Sequence, residues 1–289
     1  VADRFSSVTI GGVITAMVTP FDSNGGLDED AAVRLMHHLL ENGSDGLVLA
    51  GSTGEGALMS DEEKIRLWEL GASECPDSLI IASTGTYDTR HSVELTERAH
   101  ETGVDAMLVV TPYYVKPPRR GLMAHFSAVA AATDRPIVLY NIPQRTAMDM
   151  PNDLLAELAE IENVAAVKQS RYEDIAPIEG LDLLAGNNDT LAEVMDAGGT
   201  GGILVASQLV GNEMRRVIDE PERRHEIEDG LRDLYTALDV AVNPIGIKTA
   251  MEMAGHQVGP LRLPLIEASE EERAVIRGAL ERYSLLAAV

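Results

Sequence analysis

This 289-residue chain carries one cysteine, one tryptophan, three phenylalanines and only four lysines. A lone Cys75 excludes an intrachain disulfide, so a reducing, cytoplasmic setting is expected. No apolar run is long enough to cross a bilayer, and residues 1–5 lack the basic and apolar regions of a signal peptide, so no membrane partner is expected. The seven histidines show no metal-ligand spacing. The adjacent His37 and His38 read as the boundary face of a helix, and no metal is expected. Positive charge is also short, with 23 Lys and Arg against 47 Asp and Glu and a net charge of −24. Such a surface repels phosphates and excludes nucleic acid as a partner. The acidity is spread along the helical stretches rather than gathered in a tail. Together with scarce lysine and few aromatics, this suggests a surface adapted to high salt.

What the chain does have is a regular alternation. Short apolar runs bounded by turn residues recur at 12–19, 46–50, 79–83, 106–111, 136–141, 164–169, 182–185 and 201–206, with amphipathic stretches between them. Helix starts are marked by Asp28, by Ser60-Asp61-Glu62-Glu63 as a capping box, and by Pro151. Eight βα units predict an α/β fold, a closed (β/α)8 TIM barrel spanning residues 1–207. Only a short helix fits between Lys168 and Asp182. The remainder, 208–289, exceeds one closing helix and predicts a C-terminal helical extension around 222–240, 245–255 and 269–288, within one catalytic domain. An open doubly wound sheet is the alternative, but no Gly-x-Gly-x-x-Gly follows the first strand and no cofactor is expected.

In such a barrel the catalytic groups stand at the C-terminal ends of the strands. Strand two ends in Gly51-Ser52-Thr53-Gly54-Glu55, two hydroxyls flanked by glycines that let backbone N–H groups approach a small anion. Strand four ends in Thr111-Pro112-Tyr113-Tyr114, and strand five in Tyr140-Asn141-Ile142-Pro143-Gln144-Arg145-Thr146. Strand six delivers Lys168 at the end of the apolar run Val164-Ala165-Ala166-Val167. Partial burial there favours the neutral amine that attacks ketones, a chemistry arginine cannot perform. A lysine, a phenol, two hydroxyls and an arginine together suit imine formation with a 2-oxo acid and a clamp on a second carboxylate.

These segments, with Asn243-Pro244-Ile245 and Leu261-Arg262-Leu263-Pro264 in order behind them, resemble the dihydrodipicolinate synthase / N-acetylneuraminate lyase family over essentially the whole chain. The resemblance implies a pyruvate-dependent Schiff-base lyase that acts on pyruvate and an aldehyde and assembles as a homotetramer. By the same resemblance, Lys168 forms the imine and Tyr140 shuttles protons. Ser52 and Tyr114 complete a hydroxyl relay, the Tyr114 ring reaching into a neighbouring subunit. Thr53 holds the pyruvate carboxylate, Ile203 lines the pyruvate pocket, Gly186 lies beside the second substrate, and Arg145 matches the arginine that dihydrodipicolinate synthases use for the acceptor carboxylate. The chain departs from the family pattern at Ser52 for threonine, at Gly186-Asn187-Asn188 for Gly-Asp-Asp, and at Gln169 for an acidic residue. It also has His91 and Tyr87 where lysine-inhibited relatives carry glutamate and asparagine, and Asp61 and Lys64 where they carry histidines.

A dihydrodipicolinate-forming synthase is the leading expectation, and a 2-keto-3-deoxy sugar-acid aldolase or dehydratase the runner-up. A phosphate-binding barrel isomerase would need glycine-rich loops after strands seven and eight, whereas Gly198-Gly199 and Gly201-Gly202 precede strand eight. A non-catalytic metabolite-binding barrel is opposed by Lys168, Tyr140 and Thr53 standing together.

Overall fold

A computed structural model describes residues 10–287 of the chain. The reading of residues 1–5 and the last residue of the stretch expected at 269–288 lie outside the described residues. Eight strands form: β1 (Gly12–Ala16), β2 (Gly46–Leu49), β3 (Leu79–Ser83), β4 (Ala106–Val110), β5 (Ile137–Asn141), β6 (Val164–Gln169), β7 (Asp182–Ala185) and β8 (Gly201–Leu204). Each pairs in parallel with the next and β8 closes on β1, so the sheet is a closed barrel. Runs apolar on both faces are what such a sheet needs, because one face fills the barrel and the other lies under helices. Ile14, Val48, Val138, Ala166 and Ile203 belong to the interior cluster, whereas Leu47, Leu49, Leu139 and Val167 belong to the larger cluster beneath the helices. The side-chain period of two then places the chemistry: Tyr140 and Lys168 share parity with Val138 and Ala166, so both turn into the barrel.

The helices α1 (Glu29–Glu41), α2 (Asp61–Glu74), α3 (Thr89–Thr102) and α4 (Arg119–Ala130) follow β1 to β4. The expected caps are present: Asp28 accepts from the Ala31 N–H, and Ser60 and Glu63 bond reciprocally. After β5 come α5 (Pro143–Thr146) and α6 (Asn152–Leu158), then α7 (Leu191–Asp196) after β7 and α8 (Ser207–Asp219) after β8. Helix α8 packs on β1 and serves as the eighth barrel helix. The extension is α9 (Arg224–Asp229), α10 (Arg232–Leu238), α11 (Ile245–Met253) and α12 (Glu270–Arg282).

Three differences from the sequence reading have local causes. Strand β1 ends at Ala16 rather than at residue 19, because the Gln208 side chain takes the next backbone groups, accepting from the Val18 N–H and donating to the Ala16 carbonyl. No helix follows β6. Residues 170–181 are an irregular loop that contains Pro177, a left-handed Asp174 and an Ile178–Leu181 bridge. Arg171 ties that loop to Asp149 and Asn152. The stretch around 222–240 is two helices, with Gly230 and Leu231 between them and the Gly230 carbonyl accepting from the Tyr283 hydroxyl. Among the described residues no helix is long and apolar enough to cross a membrane.

Candidate active site

The strand ends open into a cavity of about 390 Å³ lined by Ser52, Thr53, Tyr140, Arg145, Lys168 and Gly186 among others. Lys168 is 5 % exposed and is the register partner of Tyr140 on the neighbouring strand. Its Nζ lies 4.2 Å from the centre of the Tyr140 ring. Among the described residues no carboxylate pairs with this amine, and the other three lysines are placed differently. Lys64 pairs with Asp61 at 3.2 Å, and Lys116 is exposed on the turn after β4. Lys248 donates to Glu55 Oε1, the Thr19 carbonyl and the Pro260 carbonyl at 2.7, 3.0 and 2.8 Å. An amine with every proton bonded is a structural group, whereas Lys168 has no hydrogen-bond or ion-pair partner among the described residues.

The loop after β2 is bent by left-handed Ala50 and Glu55, with φ of 54° and 56°. It closes so tightly that a Cβ on Gly56 would stand 1.8 Å from the Ala50 carbonyl oxygen, which only glycine avoids. Glu55 is buried and accepts from Lys248 and from the Arg262 N–H at 2.8 Å. Burial pushes the Lys248 ammonium below its ordinary value, and the bond to Glu55 opposes that push. A fully bonded buried ion pair adds little net stability, but it fixes register. Here it holds the Ser52-Thr53 loop against the helical extension. On the same side, Asn243 Nδ2 donates to Thr53 Oγ1 at 3.1 Å, which leaves the threonine proton for an anion. Arg145 Nη2 donates to the Asn243 carbonyl at 2.8 Å. One asparagine thus links the hydroxyl loop to the arginine.

The positions that depart from the family pattern have distinct partners. Gln169 Oε1 accepts from Asn141 and from the Arg171 N–H, and Asn188 Oδ1 accepts from the Val205 and Ala206 N–H groups at the end of β8. A carboxylate could make these same bonds. Asn187 instead donates, to the Ser170 carbonyl at 3.2 Å, which a carboxylate cannot do. Gly186 is required by close approach, since a Cβ there would meet Ser170 Oγ at 2.1 Å.

Two residues singled out in the sequence do not line the cavity. Ile203 is fully buried in the barrel interior, in the same cluster as Tyr140. Tyr114 is 89 % exposed and left-handed, with φ of 70°. Sequence reasoning in turn missed Tyr172, Asp189, Arg232, Tyr235, Asp239 and Asn243, all of which line the cavity. Asn243 stood in a motif already noticed. The α10 residues gave no signal, because only packing of the extension brings them over the barrel mouth. Scarcity of lysine was a usable signal for Lys248.

A model described as the dihydrodipicolinate synthetase family matches residues 9–283. The chain belongs to this family. Similar family members include the 4-hydroxy-tetrahydrodipicolinate synthases of Moorella thermoacetica and Heliobacterium modesticaldum. The first is 39 % identical, with 96 % of this chain and 99 % of the relative covered. The second is 38 % identical, with 95 % and 96 % covered. Among solved structures, a DHDPS from Cyanidioschyzon merolae with lysine bound superposes with a TM-score of 0.92 at 37 % identity, over 96 % of this chain and 99 % of that one. The dihydrodipicolinate synthase from Aquifex aeolicus gives 0.93 at 36 % identity, over 97 % and 100 %. Lys168 and Tyr140 therefore face each other within a family fold matched over nearly the whole chain.

Proposed function

We propose that the protein is a 4-hydroxy-tetrahydrodipicolinate synthase that condenses pyruvate with aspartate semialdehyde through an imine on Lys168. The observation that carries this reading is the meeting, in one cavity, of an unpaired buried lysine, a facing phenol, a buried threonine hydroxyl and an arginine. Lys168 Nζ attacks C2 of pyruvate, and the carbinolamine loses water to give the imine. Loss of a C3 proton gives the enamine, which adds to the aldehyde carbon of the acceptor. The acceptor amine then displaces Nζ at C2, closing the ring and freeing the lysine. Tyr140 serves the proton transfers, Thr53 holds the pyruvate carboxylate, Ile203 backs the pocket from inside the barrel, and Gly186 leaves room beside the acceptor. The imine is itself the electron sink, so these steps ask for no cofactor.

Tyr114 supports assembly as a homotetramer. An exposed aromatic held in a left-handed backbone costs on the order of 1–3 kcal/mol, which the surroundings must offset. Seating its ring in a neighbouring subunit, where it completes the relay with Ser52 and Tyr140, supplies that compensation. The donor amide of Asn187 also fits a hydroxylated acceptor, and it favours a sugar-acid aldolase as the second reading. Incubation with pyruvate and a panel of aldehydes, with products identified by mass, tests the assignment. A dihydrodipicolinate-type product from aspartate semialdehyde is expected, and products from sugar aldehydes alone would overturn it.

Arg145 is the expected clamp for the acceptor carboxylate. Loss of a charge-assisted pair should cost about 2–4 kcal/mol of acceptor binding. Arg145→Ala should therefore raise the KM for aspartate semialdehyde by roughly 30- to 1000-fold, while borohydride still traps pyruvate on Lys168. Unchanged turnover of aspartate semialdehyde would contradict the clamp.

Feedback by lysine is expected to be absent. At the positions where inhibited relatives bind it, Asp61 already bonds to His91 at 2.8 Å and to Lys64 at 3.2 Å. Partial burial disfavours the Asp61 charge, but these two partners hold its carboxyl below the ordinary value. A ligand ammonium would meet a lysine and an imidazole in place of a free carboxylate. Rates measured with and without sub-millimolar L-lysine should agree, and inhibition would refute this.

A further inference from the structure

Of the basic side chains lining the cavity, Lys168 is taken up by the imine, Arg232 is bonded to Asp229 at 2.6 Å, and Arg145 is turned to the Asn243 carbonyl at 2.8 Å. The carboxylate of a 2-oxo acid is then left to neutral donors, of which the Thr53 hydroxyl is buried. A hydroxyl rotates between donating and accepting, so what it offers an anion depends on the neighbour that fixes its proton. That neighbour is Asn243. Its Nδ2 donates to Thr53 Oγ1 at 3.1 Å, and among the described residues the Thr53 hydroxyl makes this bond alone. The rest of the loop is already pinned. The Gly54 carbonyl accepts from Thr19 Oγ1 at 2.7 Å, and Glu55 accepts from Lys248 and from the Arg262 N–H at 2.7 and 2.8 Å. Asn243 stands just before α11 and Lys248 within it, so the start of one helix reaches the loop at two points.

We infer that Asn243 is a positioning residue for the 2-oxo acid: its side-chain amide occupies a lone pair of Thr53 Oγ1 and so commits the threonine proton to the substrate carboxylate. This rests on the pyruvate half of the reading above. The residue's two contacts come from different parts of it, the side chain serving Thr53 and the backbone carbonyl serving Arg145. A side-chain substitution therefore loosens the grip on pyruvate and leaves the support of Arg145 in place. The sign of the contact matters as much as its presence. A carboxylate at this position accepts and cannot donate, so it would draw the Thr53 proton to itself and set a second negative charge beside the substrate's own.

The test measures initial rates of borohydride labelling of Lys168 against pyruvate concentration in the wild type, Asn243→Ala, Asn243→Asp, Thr53→Val and the double variant Thr53→Val/Asn243→Ala. Asn243→Ala should raise the half-saturating pyruvate concentration roughly three- to tenfold, the effect of one lost hydrogen bond. The isosteric Asn243→Asp should raise it by more than the alanine variant does, and it keeps the test readable if the alanine chain fails to fold. Because Asn243 acts through Thr53, the double variant should be no worse than Thr53→Val alone. With aspartate semialdehyde as acceptor, the KM for pyruvate should rise in both Asn243 variants while the KM for the aldehyde stays within about twofold, a split that a merely structural role would not give. Unchanged saturation by pyruvate in both Asn243 variants, effects that multiply in the double variant, or an equal rise in both KM values overturns the role of Asn243 alone. A wild type that takes no pyruvyl label overturns the imine reading, and this role with it. Labelling does not involve the acceptor, so failure of the acceptor assignment leaves the labelling arm intact.

Discussion

Lys168→Ala is expected to gain no mass when it is incubated with pyruvate and reduced with borohydride, and to lose at least about a thousandfold in kcat/KM, because no other group can supply the covalent step. The wild type should carry one reduced pyruvyl group, on the peptide that contains Lys168. The structure sharpens this expectation by disposing of the competitors. Lys248 is just as buried, yet its ammonium is bonded to three oxygens and its neighbour Glu55 is a fully enclosed counter-ion. To attack a ketone it would have to break that set and leave Glu55 charged and unpaired, a penalty of several kcal/mol. Lys168→Arg should be as inactive as the alanine variant, since charge alone does not restore a nucleophile. Label on Lys64, Lys116 or Lys248, or a wild type that takes no label, would sink the mechanism.

Salt should act on the molecule as strongly as any single substitution. With 47 acidic and 23 basic residues, the chain has far more surface carboxylates than cations to neutralise them. Exposed pairs such as Arg66–Glu29 are individually weak and are screened along with everything else. The summed repulsion therefore decides the sign. At about 10 mM salt the screening length is about 30 Å, comparable to a domain, whereas at about 1 M it is about 3 Å and only near neighbours interact. Folding should be weakened in dilute buffer, and assembly more so, because bringing acidic surfaces together adds to the repulsion. Activity should fall on dialysis into dilute buffer and recover in molar potassium chloride. Melting temperatures and oligomer sizes that agree at about 50 mM and about 2 M would end the high-salt reading, since those conditions span most of the screening range.

The barrel was legible because its signals are local. Eight apolar runs at βα spacing and the Ser60 and Asp28 caps are all properties of a few consecutive residues. Strand ends were less legible, because β1 stops where a side chain almost two hundred residues away, Gln208, takes over its hydrogen bonds. The loop after β6 was misread as a short helix, since its course depends on Arg171 reaching back to Asp149 and Asn152.

By itself the sequence determined the closed barrel, the single lysine at the end of a barrel strand and the acidic surface, because periodicity, residue type and charge do not depend on which distant residues meet. Only the tertiary structure decided which of the three buried lysines has no hydrogen-bond or ion-pair partner among the described residues. It brought Asn243 between Thr53 and Arg145, and it laid Tyr235 of α10 and the adjoining Asp239 over a cavity built from strands far earlier in the chain. Those contacts join residues separated by about a hundred positions or more, and no local pattern encodes the packing of the extension against the barrel mouth.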